Sequence, residues 1–212
     1  MPSHTEDAAR DRLLAAAGEV FAEEGYESAT IRGICTRAGA NVAAVNYHFR
    51  DKLGLYTAVV RQLMEPPDAE GPVPSSVPPE EALRAFISAM VRRLCLDTDG
   101  RSHRSLRIMV HEMARPSAGL EVMVGQLVQP RYNVLRGIIS GIINLPPDHD
   151  IVRLSAHSII GQIVHYVHGR PVLVRVWPGM RFTPEQVDQI ANHISEFSLA
   201  GLRNIAGATT YE

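Results

Sequence analysis

Lysine is almost missing from this chain of 212 residues: of its 21 basic side chains, only Lys52 is not an arginine. A GC-rich genome gives the bias a bland reading, yet a single lysine at that position suggests that its small, mobile ammonium matters there. Cysteine is scarce as well. Cys35 and Cys95 have neither CxxC nor metal-ligand spacing, which excludes a disulfide scaffold and a structural zinc site and leaves two small buried hydrophobes. Net charge is low, at −2, which excludes disorder by self-repulsion and argues against general coating of nucleic acid. No apolar run approaches the length of a membrane span, and the opening MPSHTEDAARDR is too polar and acidic for a signal peptide. The expectation is a cytoplasmic protein with no membrane partner.

Catalytic signatures are missing too. There is no GxSxG, no phosphate-cradling glycine loop and no HExxH. His149-Asp150 superficially resembles the pair of helical metal phosphohydrolases, but the further ligands those enzymes need are not spaced along other helices. His157, His165 and His168 share one expected helix without a carboxylate or cysteine to complete a metal site. No enzyme, no cofactor and no metal are expected. A helical adaptor without DNA binding is the remaining non-enzymatic alternative.

What the chain does contain is the stretch Thr30 to Lys52, TIRGICTRAGANVAAVNYHFRDK. Ile31, Ile34, Cys35 and Ala38 form one helical stripe that Gly39 interrupts; Val42, Val45 and Phe49 form a second. Burying both stripes leaves Ala43, Ala44, Asn46, Tyr47 and His48 outward or at the flank. A short helix presenting small residues, an amide and a phenol can enter a DNA major groove without steric or charge penalty. Arg32, Arg37, Arg50 and Lys52 against Asp51 give this stretch a balance of +3, whereas Glu19, Glu23, Glu24 and Glu27 make the preceding helix acidic.

The residues Phe21, Gly25-Tyr26, Thr30-Ile31-Arg32, Ile34, Ala38-Gly39, Val45-Asn46-Tyr47-His48-Phe49 and Lys52 occur in an order that resembles the TetR/AcrR family of transcriptional regulators. The run AAVNYHF followed by DKLGLY is similar to its CecR/YbiH-like branch. The resemblance is dense over residues 8 to 63 and looser beyond. Cys35 stands where the family usually has alanine, and Asn41 where serine or a valine-asparagine pair is commoner, which bears on the bases read. The resemblance implies three N-terminal DNA-binding helices, a fourth that connects, and a helical ligand-binding and dimerisation domain. It also implies that Lys52 contacts a DNA phosphate, and that the protein is a repressor.

Periodicity gives an all-α chain of about nine helices. Helix 1 is expected over Asp7 to Glu24 with Gly25 ending it, after an arm of residues 1 to 6. Thr30, Asn41 and Asp51 have the chemistry of N-caps for the next three helices, the third with Leu55, Tyr56, Val59, Val60 and Leu63 inward. Residues 66 to 79 hold six prolines and read as a linker. Further stripes follow at Leu83, Phe86, Ile87, Met90, Val91 and Leu94; at Leu106, Met109, Val110 and Met113; and from Leu120 to Ile142 across a kink at Pro130. Asp97 to Gly100 is expected as a turn. Ile151 to Val167 is apolar on more than one side. VLVRV, within Val172 to Trp177, alternates like a strand but has no partner strand, which favours a distorted helical or extended connector. Thr183-Pro184-Glu185-Gln186 starts a last helix carrying Val187, Ile190, Ile194 and Phe197. The domain division is therefore 1–51 for reading DNA, 52–79 for the connecting helix and linker, and 80–212 for ligand binding and dimerisation.

Specificity from one short helix requires two copies on a duplex, with palindromic half-sites about 34–36 Å apart or a multiple of that. The two apolar C-terminal helices are the expected dimer seam. Asn41 and Asn46 can pair with adenine edges, and Ala43 and Ala44 can touch thymine methyls. Thr30, Tyr47, His48 and Lys52 are assigned to phosphates. Tyr47 has the alternative of packing over the start of helix 4, and Arg32 the alternatives of a phosphate contact or an internal salt bridge. A small-molecule effector would be lined by some of Met90, Met109, His111, Met113, Met123, Tyr132, His165, Tyr166 and Trp177, although such residues at helical spacing are often plain core.

Overall fold

The computed structural model describes residues 4–64, 77–96 and 100–209. Most of the proline-rich linker, most of the turn after Leu96 and the first residues of the N-terminal arm lie outside them. Every regular element among the described residues is helical. They are α1 (His4–Ser28), α2 (Ile31–Ala38), α3 (Val42–Phe49), α4 (Lys52–Met64), α5 (Pro79–Cys95), α6 (Arg101–Ala114), α7 (Ala118–Met123), α8 (Gln129–Ile143), α9 (Asp150–His168), α10 (Arg170–Val176) and α11 (Pro184–Thr209). A π-helical turn, Val124–Val128, precedes α8 where the sequence placed a kink at Pro130. The ambiguous VLVRV segment is the short helix α10. With α7 and α8 as separate elements, it accounts for the helices beyond the nine expected.

Two compact units form. The first takes Met1–Ala69 with Asp99–Pro130, and the second Glu70–Thr98 with Arg131–Glu212. In the first, α6 packs along α1 while α7 and the π turn pack on α4, so these elements join the same core as the N-terminal helices. Leu13, Ala17, Phe21, Ile34, Val45, Leu55, Tyr56 and Val59 are its buried centre. Phe21 meets Tyr56 edge-on at 5.0 Å, and Tyr26 meets Tyr56 at 5.1 Å, spacings at which aromatic quadrupoles attract. In the second unit α5 and α9 pack with α11, and α10 with α9. Leu83, Ile87, Val91, Leu135, Ile139, Ile159, Ile163, Ile190 and Ile194 lie inside it.

The structure corrects several stripes. Helix 1 does not stop at Gly25: that residue breaks the helix with φ 77°, and one further turn runs to Ser28. His111 of α6 packs where a Cβ would stand, with its ring atoms 3.1–3.2 Å from that position, so only glycine fits both the angle and the contact. Among the described side chains of α6, Ile108 and Glu112 are buried, while Val110 and Met113 face solvent. The expected apolar stripe is rotated because Glu112 finds internal hydrogen bonds and can be buried in place of a hydrophobe. Val42 and Phe197, both placed on apolar stripes, are exposed, and so is Leu154 of α9.

Candidate nucleic-acid interface

The reading head is built by local signals. Thr30 Oγ1 accepts the Gly33 amide at 3.0 Å, capping α2, and Asn41 Oδ1 accepts the Ala44 amide at 2.9 Å, capping α3. Asp51 Oδ1 accepts the Gly54 amide at 2.8 Å and fixes the start of α4. Such caps replace hydrogen bonds that the first turn of a helix otherwise lacks. Ile34, Cys35 and Ala38 of α2, with Val45 and Phe49 of α3, anchor the pair into the core. The outer face of α3 is thereby set.

That face carries Ala43, Asn46 and Tyr47, all exposed, with His48 half-buried beside them. Tyr47 is 74% exposed, and its ring meets the neighbouring His48 ring edge-on at 4.9 Å. Ala44 is half-buried against the core, which leaves Ala43 as the freer methyl. Asn41 and Thr30 spend their oxygens on caps, but the Asn41 amide N–H groups and the Thr30 hydroxyl proton remain for donation. Arg32 is exposed, and its side chain has no partner among the described residues.

Lys52 is held in place. Its ammonium lies 4.4 Å from the centre of the Tyr26 ring and donates to the Glu27 carbonyl at 3.2 Å. Burial pulls its pKa below the ordinary lysine value, and the Glu27 carboxylate pulls the other way. The ring and carbonyl orient the group while leaving donors for a phosphate. Arg37 differs from the sequence expectation. It pairs with Glu23 at 2.9 Å and Glu19 at 3.7 Å, so α1 neutralises it. The basic balance of the head therefore rests on Arg32, Arg50 and Lys52.

The effector candidates divide between the units. Met109 and His111 are half-buried and Met123 is buried in the first, while Met113 is exposed there. In the second, Met90, Tyr132 and Tyr166 are half-buried, and His165 and Trp177 are exposed. Tyr132 and His157 approach to 3.4 Å. Of the nine, only Met123 lines the small crevice of about 10 Å³ in the first unit, walled also by Val60, Leu63, Ile108 and Leu127.

Sequence reasoning missed Glu112. It is 1% exposed, accepts the Ser117 amide at 3.0 Å and the Ser117 hydroxyl at 2.8 Å, and takes the Tyr56 hydroxyl at 3.4 Å. Ser117 Oγ in turn accepts the Gly119 amide at 3.0 Å and caps α7. One carboxylate thus ties α4, α6 and α7 together. The only sequence hint is a lone acidic residue near the end of a helix whose other charged side chains are all basic.

Comparison with known proteins agrees with this geometry. Residues 13–59 match the family of bacterial regulatory proteins described as tetR, and residues 79–202 match the C-terminal domain of the HTH-type transcriptional dual regulator CecR. The CecR of Shigella flexneri is 25% identical over 192 residues, covering 86% of each chain. The transcriptional activator FasR of Mycolicibacterium smegmatis is 43% identical over 56 residues, 26% of each chain. Among solved structures, NalD of Pseudomonas aeruginosa, a repressor of a multidrug efflux pump, superposes with a TM-score of 0.64 at 19% identity, covering 93% of this chain and 97% of its own. FadR of Bacillus subtilis in complex with stearoyl-CoA superposes with 0.61 at 20% identity, covering 90% and 98%. With head and body both matched, the chain belongs to the tetR family of bacterial transcriptional regulators and carries a CecR-type C-terminal domain.

Proposed function

We propose that this protein is a repressor that binds a palindromic operator as a homodimer and is released by a small molecule. The observation that carries the reading is the exposed outer face of α3, where Asn46 and Tyr47 project beside a Lys52 already oriented by Tyr26 and Glu27. Asn46 and Ala43 read base edges, with the Asn41 amide at the flank. Thr30, Arg32, Tyr47, His48 and Lys52 hold phosphates and set the register. Residues 1–51 are the reading head, 52–79 the connection and 80–212 the effector and dimer region.

Dimerisation is supported by apolar side chains left uncovered on two helices of the second unit. Leu154 of α9 is 67% exposed and Phe197 of α11 is 66% exposed. Gly161 and Gly201 on the same two helices have open space beside them, which permits close helix approach. An effector acts by binding the DNA-competent and DNA-incompetent arrangements with different affinity. The nine candidate lining residues remain the first set to vary in the search for it.

The test is fluorescence anisotropy of a labelled duplex from upstream of the protein's own gene, against a scrambled duplex at the same salt. Selective binding at two protomers per site is expected, with Tyr47→Ala and Lys52→Ala each weakening it at least about ten-fold, or 1.4 kcal/mol, without unfolding the protein. Unchanged affinity in both variants would overturn the assignment.

A further inference from the structure

Beside the outer face of α3, the first unit contains a groove of about 660 Å³ that shares Asn46, Tyr47 and His48 with that face and extends beyond it to α1 and α4. Its walls come from the start of α1, the end of α3 and one side of α4. They bring together Arg10, Arg50 and Arg61, which lie far apart in the sequence, with Asn46 and Tyr47 at one edge. Among the described residues, the only acidic side chain in the lining is Asp11, a solvent-exposed neighbour of Arg10 at 3.7 Å. Three guanidiniums against one carboxylate make the groove cationic.

These arginines are prepared rather than merely present. The Arg10 guanidinium lies 5.8 Å from the Phe49 ring centre, a cation–π spacing. Arg61 donates Nε–H to Gln126 at 3.2 Å, which orients the group and leaves its terminal N–H donors unused by that bond. Arg50 has no side-chain partner among the described residues. Its backbone sits at φ 73°, ψ −51°, a strained region for any residue with a Cβ. That conformation ends α3 and places Arg50 in the lining of the groove.

The groove is open and its exposed lining is mainly polar, with Leu14, Phe49 and Ala58 as its apolar members. A row of guanidiniums fits a row of phosphate oxygens, because each planar fork can donate two parallel hydrogen bonds. We propose that the groove is a second backbone clamp. The sugar-phosphate strand of the operator leaves the reading helix at Tyr47 and continues into it, held by Arg50, Arg10 and Arg61. The proposal rests on the DNA-reading assignment of α3 and extends the footprint beyond that helix. Contacts of this kind carry no base information, so they strengthen binding to all duplexes alike.

The test is the salt dependence of full-length protein binding, measured by anisotropy on operator and scrambled duplexes. Arg10→Gln, Arg50→Gln and Arg61→Gln are compared with wild type. Each lost phosphate contact should flatten the slope of log K against log salt by about 0.9. Each variant should also weaken both duplexes by a similar several-fold factor, leaving the operator preference intact. Arg50→Gly supplies a variant that relieves the strained backbone, so it should lose the same slope while its thermal midpoint rises. Unchanged slopes in all four variants, with Lys52→Ala still impaired, would overturn the clamp and leave the reading helix standing. Loss confined to the operator would also overturn it, since that is base readout. A wild-type protein with no DNA affinity at all would instead remove the underlying assignment.

Discussion

Replacing Glu112 with alanine tests how the first unit is held together. The carboxylate is buried without a lysine or arginine partner among the described residues and is satisfied only by Ser117 and the Tyr56 hydroxyl. Alanine removes the acceptor of the Ser117 amide and of a fully buried phenol, at about 1–3 kcal/mol for each donor stranded away from water. It also removes a methylene, worth roughly 0.8 kcal/mol of burial. Against this, the mutant no longer desolvates a carboxylate, an effect of several kcal/mol before its hydrogen bonds are counted. The stranded donors and lost burial cost about 3–7 kcal/mol, so after that relief the net expectation is a loss of about 1–2 kcal/mol. Glu112→Gln keeps an acceptor for the Ser117 amide and buries no charge, so it should lie within about 1 kcal/mol of wild type. Trp177, the single tryptophan, belongs to the second unit. Its fluorescence is therefore the wrong probe. Urea unfolding followed by far-ultraviolet circular dichroism, with hydrogen exchange of α6 and α7 peptides, reads the right unit. With a slope near 2 kcal/mol per molar urea, a loss of about 1–2 kcal/mol moves the midpoint by about 0.5–1 M. Alanine and glutamine variants that both match wild type would refute the idea that this carboxylate ties α4 to α6 and α7.

Other consequences follow from the same geometry. Leu154→Glu and Phe197→Glu should each convert a dimer into a monomer in sedimentation velocity, because either puts an unpaired carboxylate in an apolar seam; a dimer persisting in both would place the seam elsewhere. Arg50→Gly should raise stability by about 1 kcal/mol by relieving a positive φ, read as a higher urea midpoint. Burial first, and then the Glu112 charge, push the Tyr56 phenol far above its usual value. The folded state therefore keeps its proton where the unfolded chain loses it. Its contribution to stability is complete below pH about 10 and falls as pH rises further. Tyr26 shifts in the same direction, so Tyr56→Phe should reduce this alkaline loss of stability without abolishing it.

The reading head was largely legible because its signals are local. Thr30, Asn41 and Asp51 cap helices three residues or fewer ahead, and a cap depends on little beyond its own turn. The stripes Ile34, Cys35 and Ala38 in α2, and Leu55, Tyr56, Val59, Val60 and Leu63 in α4, are buried as their spacing predicts. Stripes failed where more than hydrophobicity decided the inner face. On α6 a hydrogen-bonded Glu112 turns inward and Met113 outward, and on α11 Phe197 is left uncovered while Leu199 and Leu202 are buried.

By itself, the sequence determined an all-helical chain, the caps and stripes of the helix-turn-helix, and the residues on the outer face of α3. These follow from periodicity and from chemistry within one or two turns. Tertiary structure alone decided which charges remain available. Arg37 is cancelled by Glu23 and Glu19 on another helix, while Arg10, Arg50 and Arg61 are gathered into one groove from three. It also decided that α6 and α7 share a core with the reading head, through a carboxylate bonded to residues on α4 and at the start of α7. Coulomb and hydrogen-bond energies depend on distance in space, and separation along the chain does not report that distance.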